Sequence, residues 1–156
     1  MIPDEKVILQ YINTFFRTEL VNYFLYLILA VVGTLISCYS FKVYVNKTAW
    51  KAKVIFFVAL SCALTLIFIK TAEFLPAYKD YKNKSYTIEQ NCEIYIHENM
   101  NNKLEQKNTV ELYTENGNTV NLKITNDYNF ETEIVHRAVV IYTNNSKHIV
   151  WYKILD

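Results

Sequence analysis

The stretch "LVNYFLYLILAVVGTLISCYSF", Leu20 to Phe41, contains no charged residue. At about 1.5 Å rise per residue, an α-helix over this run is roughly 33 Å long, enough for a hydrocarbon core of about 30 Å. It predicts a membrane-spanning helix, and everything on either side must be read from that. A second run, "VIFFVALSCALTLIFI" from Val54 to Ile69, is also uncharged. It covers roughly 24 Å by the same arithmetic, and Lys53 and Lys70 at its ends can snorkel to supply the missing length. A chain of 156 residues has too little remaining mass to bury two such helices on all sides.

The overall composition conceals this division. Hydrophobic residues make up 52% and charged residues 20%, with a formal net charge of +1. Between Leu20 and Ile69 the charges are confined to one short segment, whereas from Lys70 onward they recur every few residues. A membrane part is therefore joined to a soluble part. The near-neutral balance gives no basic face for nucleic acid, which is not expected as a partner. The preference for Lys over Arg and the abundance of Asn point to an A+T-rich bacterial or phage genome.

The segments before and between the runs set the orientation. Residues 1–19 form an amphipathic N-terminal segment, in which Val7, Ile8, Tyr11, Ile12, Phe15 and Phe16 make one apolar stripe on a helix. The expectation is an interfacial helix leading into the first span, residues 20–41. Asp4, Glu5 and Glu19 make this a poor signal-peptide n-region, so the helix is expected to be retained. Residues 42–53 carry Lys42, Lys47, Lys51 and Lys53 and no acid. The positive-inside rule places this turn in the cytoplasm and both chain ends outside.

The second span is expected over residues 54–75, with Pro76 stopping the helix near Phe74 and residues 76–85 serving as a linker. With the turn centred near Lys47 and Thr48, antiparallel helices bring Gly33 and Ser37 level with Ala63 and Ala59. Each helix then offers a small-xxx-small pattern to the other, allowing close backbone packing.

From Tyr86 the periodicity changes to two. Ile88, Cys92, Ile94 and Ile96 fall on one strand face. "TVELYTENGNTVNLKIT" predicts a hairpin with a three-residue loop of Asn116, Gly117 and Asn118, pairing Val110 with Ile124 and Leu112 with Leu122. "IVHRAVVIYT" and "HIVWYKIL" are apolar on both faces, with Tyr142, Ile149 and Trp151 expected to share one of them. Central burial explains such strands. A surface for a partner protein, a second copy or the membrane is the competing expectation, with Tyr142, Ile149 and Trp151 as its residues. Residues 86–156 thus form a small all-β domain, a partly open barrel or two-layer sandwich, behind a membrane α-helical hairpin.

Catalytic chemistry is nearly absent. His97, His136 and His148 lie on separate strands without metal-ligand spacing, and Gly33 and Gly117 alone cannot build a phosphate loop. No cysteine pair is spaced for zinc. No cofactor, metal or catalytic residue is expected. The plan resembles membrane-anchored accessory and immunity proteins of bacteria and phages. More loosely, it resembles antiphage effectors in which a β-barrel senses a cyclic oligonucleotide. The first resemblance implies a non-enzymatic binding domain outside the cytoplasm, embedded through its helices in the lipid bilayer and meeting a protein partner or a second copy. The second implies a small-molecule sensor facing the cytoplasm.

Overall fold

The computed structural model of the chain describes residues 2–44, 49–97, 107–125 and 134–155. Lys47 lies outside the described residues, as does the side chain of His97. The elements are α1 (Glu5–Tyr44), α2 (Ala49–Asn83), β1 (Tyr86–His97), β2 (Lys107–Tyr113), β3 (Thr119–Thr125), β4 (Val135–Thr143) and β5 (Ile149–Ile154). They divide into two compact units: Arg17–Pro76, and Met1–Phe16 together with Ala77–Asp156.

α1 begins after Pro3 and Asp4, where the Asp4 carbonyl accepts the Val7 and Ile8 amides. Glu5 in its first turn and Lys42 in its last complement the helix dipole. At 40 residues it is about 60 Å long, well beyond a bilayer's thickness. α2 does not stop near Phe74. Pro76 lies inside it, and the expected linker is helical as far as Asn83. Proline removes one rung of the helix, but Ala77 and Asp80 beyond it are buried, and their packing holds the next turn in place. The helix ends where Ser85 N–H donates to the Asp80 carbonyl at 3.0 Å and Lys84 N–H to the Tyr81 carbonyl at 3.4 Å. Lys84 takes the left-handed conformation, φ 49°, at the position where a Schellman cap favours glycine.

In the helix unit, α1 and α2 meet along a narrow seam. Tyr23 stacks on Phe74 at 4.8 Å and Phe41 approaches Phe56 at 5.2 Å, with Ala30 and Ala63 buried between these aromatic ends. Seam residues recur every three to four positions, as on any packed helix face. Tyr23 also shares a hydrogen bond with Thr71, 3.3 Å between the oxygens.

In the second unit the strands form one antiparallel sheet of order β3-β2-β1-β4-β5. All five described strands belong to it, so among the described residues there is no second sheet to make the alternative sandwich. One face gathers Cys92, Ile94, Val110, Leu112, Leu122, Ile124, Ala138, Val140, Tyr142 and Ile149 into a buried cluster. The edge strands come together at a single parallel bridge between Lys123 and His148, where Lys123 N–H donates to the Lys147 carbonyl at 2.7 Å. The sheet is open but rolled toward a barrel, which is how one face of a single sheet buries itself.

Two local departures set the faces. In β1 the pairing with β4 slips between Glu89 and Cys92, where Asn91 has φ 54°. This bulge sends Ile88 to the outer face while Cys92 and Ile94 point into the cluster, so Ile88 does not share their face as simple alternation predicted. In the β2–β3 hairpin the loop is three residues long but consists of Glu115, Asn116 and Gly117, closed by Thr114 N–H to the Asn118 carbonyl at 3.0 Å. Val110 pairs with Leu122 and Leu112 with Val120, two positions from the expected register. Gly117, at φ 75°, occupies the left-handed third loop position that such loops require.

Candidate functional site

Three surfaces are candidates for function: the lipid-sized exterior of the helix pair, the outer face of β4 and β5, and the polar joint between α2 and the β4–β5 turn.

The helix exterior is apolar and uncovered. Val21, Phe24, Leu25, Ile28, Leu29, Leu35 and Ile36 on α1 are exposed, as are Ile55, Phe57, Val58, Leu64 and Phe68 on α2. Both helices are long and apolar enough to cross a membrane, and only 6% of each apolar stretch is buried. A core helix of a soluble protein is mostly buried, and these two helices are not. The proposed packing residues divide around it. Ala63 is buried, and Ala59 and Ser37 are half-buried in the seam. Gly33 is exposed, and a Cβ built on it meets no atom within 4 Å. Gly33 faces open space, and Ala30 takes the buried position one turn earlier. At one end of the seam Lys70 pairs with Glu73 at 2.8 Å and lies over the Tyr26 ring at 4.6 Å.

The outer face of β4 and β5 is covered from within the same unit. Ile8 and Ile12, each 2% exposed, pack on Ile141, with Tyr86, Ile88, Val150 and Trp151 around them. Phe15 stacks on His148 at 4.2 Å and Phe16 on Tyr81 at 4.2 Å. The N-terminal stripe is thus a cover for the sheet. Val7 and Tyr11, the remaining members of the expected stripe, are exposed.

This arrangement corrects the expected partner surface. Tyr142 and Ile149, at 5% and 6% exposure, belong to the inner cluster, while Trp151 is half-buried against the N-terminal segment. They do not share a face. A bulge between Ile141 and Tyr142 pairs Ile141 with Trp151 and Tyr142 with Ile149, placing Val150 and Trp151 together on the outer side. Both the stripe of residues 2–16 and the two-faced strands were legible as apolar surfaces without a partner. That they fit each other was the reading missed.

At the polar joint, Asp80 is fully buried near the end of α2. One carboxylate oxygen accepts from the Asn145 amide at 2.8 Å and its side-chain Nδ2 at 2.7 Å. The other accepts from the Ser146 amide and Oγ, both at 2.7 Å. Asn144 extends the network, donating to Ser85 Oγ at 3.0 Å and accepting from Thr87 Oγ1 at 2.6 Å. An acid near a helix C-terminus opposes the dipole. That mismatch in "AYKDYKN" was the sequence signal that Asp80 had a partner.

Reactive groups are muted. Cys92 is buried and its thiol donates to the Ala138 carbonyl at 3.2 Å. Burial pushes its pKa from the ordinary 9.0 up to about 11, leaving it protonated and unreactive at neutral pH. Burial likewise raises the Tyr142 phenol. Cys38 and Cys62 are free and exposed on the helix pair. Among the described residues no group of three His, Cys, Asp or Glu side chains could hold a metal ion. Comparison with protein-family models, curated proteins and solved structures finds no match to the chain.

Proposed function

We propose that this is a non-enzymatic, two-span protein of a bacterial or phage-encoded cell-membrane system, displaying its β-domain outside the cytoplasm to bind a protein or an envelope component. Accessory, immunity and exclusion roles all fit this plan.

One observation carries the reading. Residues 2–16 and the sheet belong to one folded unit, with Ile8 and Ile12 buried on Ile141, yet the chain between them contains both apolar helices. Both ends must therefore lie on the same side of any membrane the helices cross. An even number of spans supplies that arrangement, and cleavage after the first span would remove the cover from Ile141. Lys42, Lys47, Lys51 and Lys53 with no acid favour a cytoplasmic turn and hence external ends.

The test is a pair of fusions after Asp156, one to alkaline phosphatase and one to a fluorescent protein that matures only in the cytoplasm. Active phosphatase with a dark fluorescent fusion is expected. The opposite pattern rejects the external domain and favours a cytoplasmic sensor of a small molecule such as a cyclic oligonucleotide.

A further inference from the structure

Lys51 and Lys53 stand in the first turns of α2, which contains no acid there, and both are exposed. Cations at a helix N-terminus oppose its dipole, so helix stability does not explain them. Lys42 is exposed at the end of α1, and the whole segment from Lys42 to Lys53 contains no carboxylate to neutralise any of them. Beside them Trp50 is 77% exposed, the most exposed of the large apolar side chains described. An indole left so open, next to lysines without a counter-charge, has the composition of a membrane-interface anchor, with the ring at the headgroup level and the ammonium groups among phosphates.

We propose that Lys42, Lys51, Lys53 and Trp50 form a docking surface for the headgroups of anionic phospholipids, so that the turn end of the hairpin selects acidic lipid from its surroundings. The proposal rests on the two-span reading and adds a lipid preference to it. Charge complementarity commits the occupant: Lys42, Lys51 and Lys53 with no carboxylate in the segment favour a headgroup of net negative charge over a zwitterionic one. Near an anionic leaflet each lysine favours association by about five-fold.

The full chain is reconstituted in mixed vesicles of phosphatidylcholine and phosphatidylglycerol, with brominated acyl chains placed on one lipid or the other. Tryptophan quenching is then recorded. The chain has two tryptophans, and the Trp50→Phe variant gives the Trp151 signal to be subtracted. Brominated phosphatidylglycerol is expected to quench Trp50 more strongly than brominated phosphatidylcholine at equal mole fraction. That ratio should fall at least about two-fold in the Lys51→Gln, Lys53→Gln double variant, because two favourable terms are lost. Equal quenching by both lipids overturns the lipid preference while leaving the spans intact. A preference that survives the double variant also overturns it, since the lysines then do not provide it. No quenching by either lipid overturns the membrane reading itself, and the preference with it.

Discussion

The two units of this chain solve opposite packing problems. In Arg17–Pro76 only a thin seam is covered, with Ala30 and Ala63 buried and Tyr23 and Phe74 half-buried, and most other apolar side chains face outward. In the sheet unit, side chains from all five strands are buried to a few per cent, and even the outer face of β4 is covered by Ile8 and Ile12. The helix pair depends on its surroundings to satisfy its surface, whereas the sheet unit is closed by its own chain. The same kind of substitution should therefore have very different consequences in the two.

Leu112→Ala in the inner cluster sets the upper end of that contrast. Removing a fully buried leucine side chain costs about 2–5 kcal/mol. Leu29→Ala, at a position 58% exposed on α1, should stay within about 0.5 kcal/mol. Denaturant unfolding of the full chain in detergent measures both, and equal losses would abolish the distinction between the units. Next comes Asp80→Asn. The amide keeps one acceptor but turns an NH₂ toward donors from Asn145 or Ser146, and the loss should be about 2–3 kcal/mol. Retained stability would show that the buried carboxylate does not hold the β4–β5 turn.

Smaller effects sharpen the helix seam and the cap. Ala63→Leu should cost about 1–3 kcal/mol by overpacking the seam. Gly33→Leu meets open space and should be neutral, or gain up to about 1 kcal/mol from helix propensity. Similar losses from both, read as folded yield in membranes, would put Gly33 back at the interface. Last, Lys84→Gly relieves a left-handed lysine and should raise stability by under about 1 kcal/mol, seen as a small increase in Tm. A drop would mean that the Lys84 side chain contributes more than its backbone costs.

Much of this was legible in the residues, and the failures share physical causes. The two long apolar helices and the change to period two after Tyr86 are properties of long runs, which local exceptions do not blur. The rotation of the helix seam was not legible, because a lone small residue such as Gly33 looks the same on a covered or an uncovered helix face. The β2–β3 faces were correct and the register wrong for a related reason: shifting a strand by two residues leaves every side chain on the same face. Only the need for Gly117 at the left-handed loop position distinguishes the two registers. The bulges beside Asn91 and Val150 leave no trace in an alternation pattern, and each reverses a face. Pro76 was read as a stop because proline propensity is local, whereas the burial of Ala77 and Asp80 that overrides it is tertiary.

The cover of Ile8 and Ile12 over Ile141 also imposes an order on biogenesis. The ribosome makes residues 2–16 before β4 and β5, with both apolar helices in between. If both helices cross a membrane, as proposed above, the N-terminal strip must wait on the sheet's side of it, its isoleucines uncovered, until β4 and β5 arrive. A chain interrupted after α2 would present that apolar strip with nothing to receive it. The same side chains that close the finished domain are thus an uncovered apolar strip in an incomplete one.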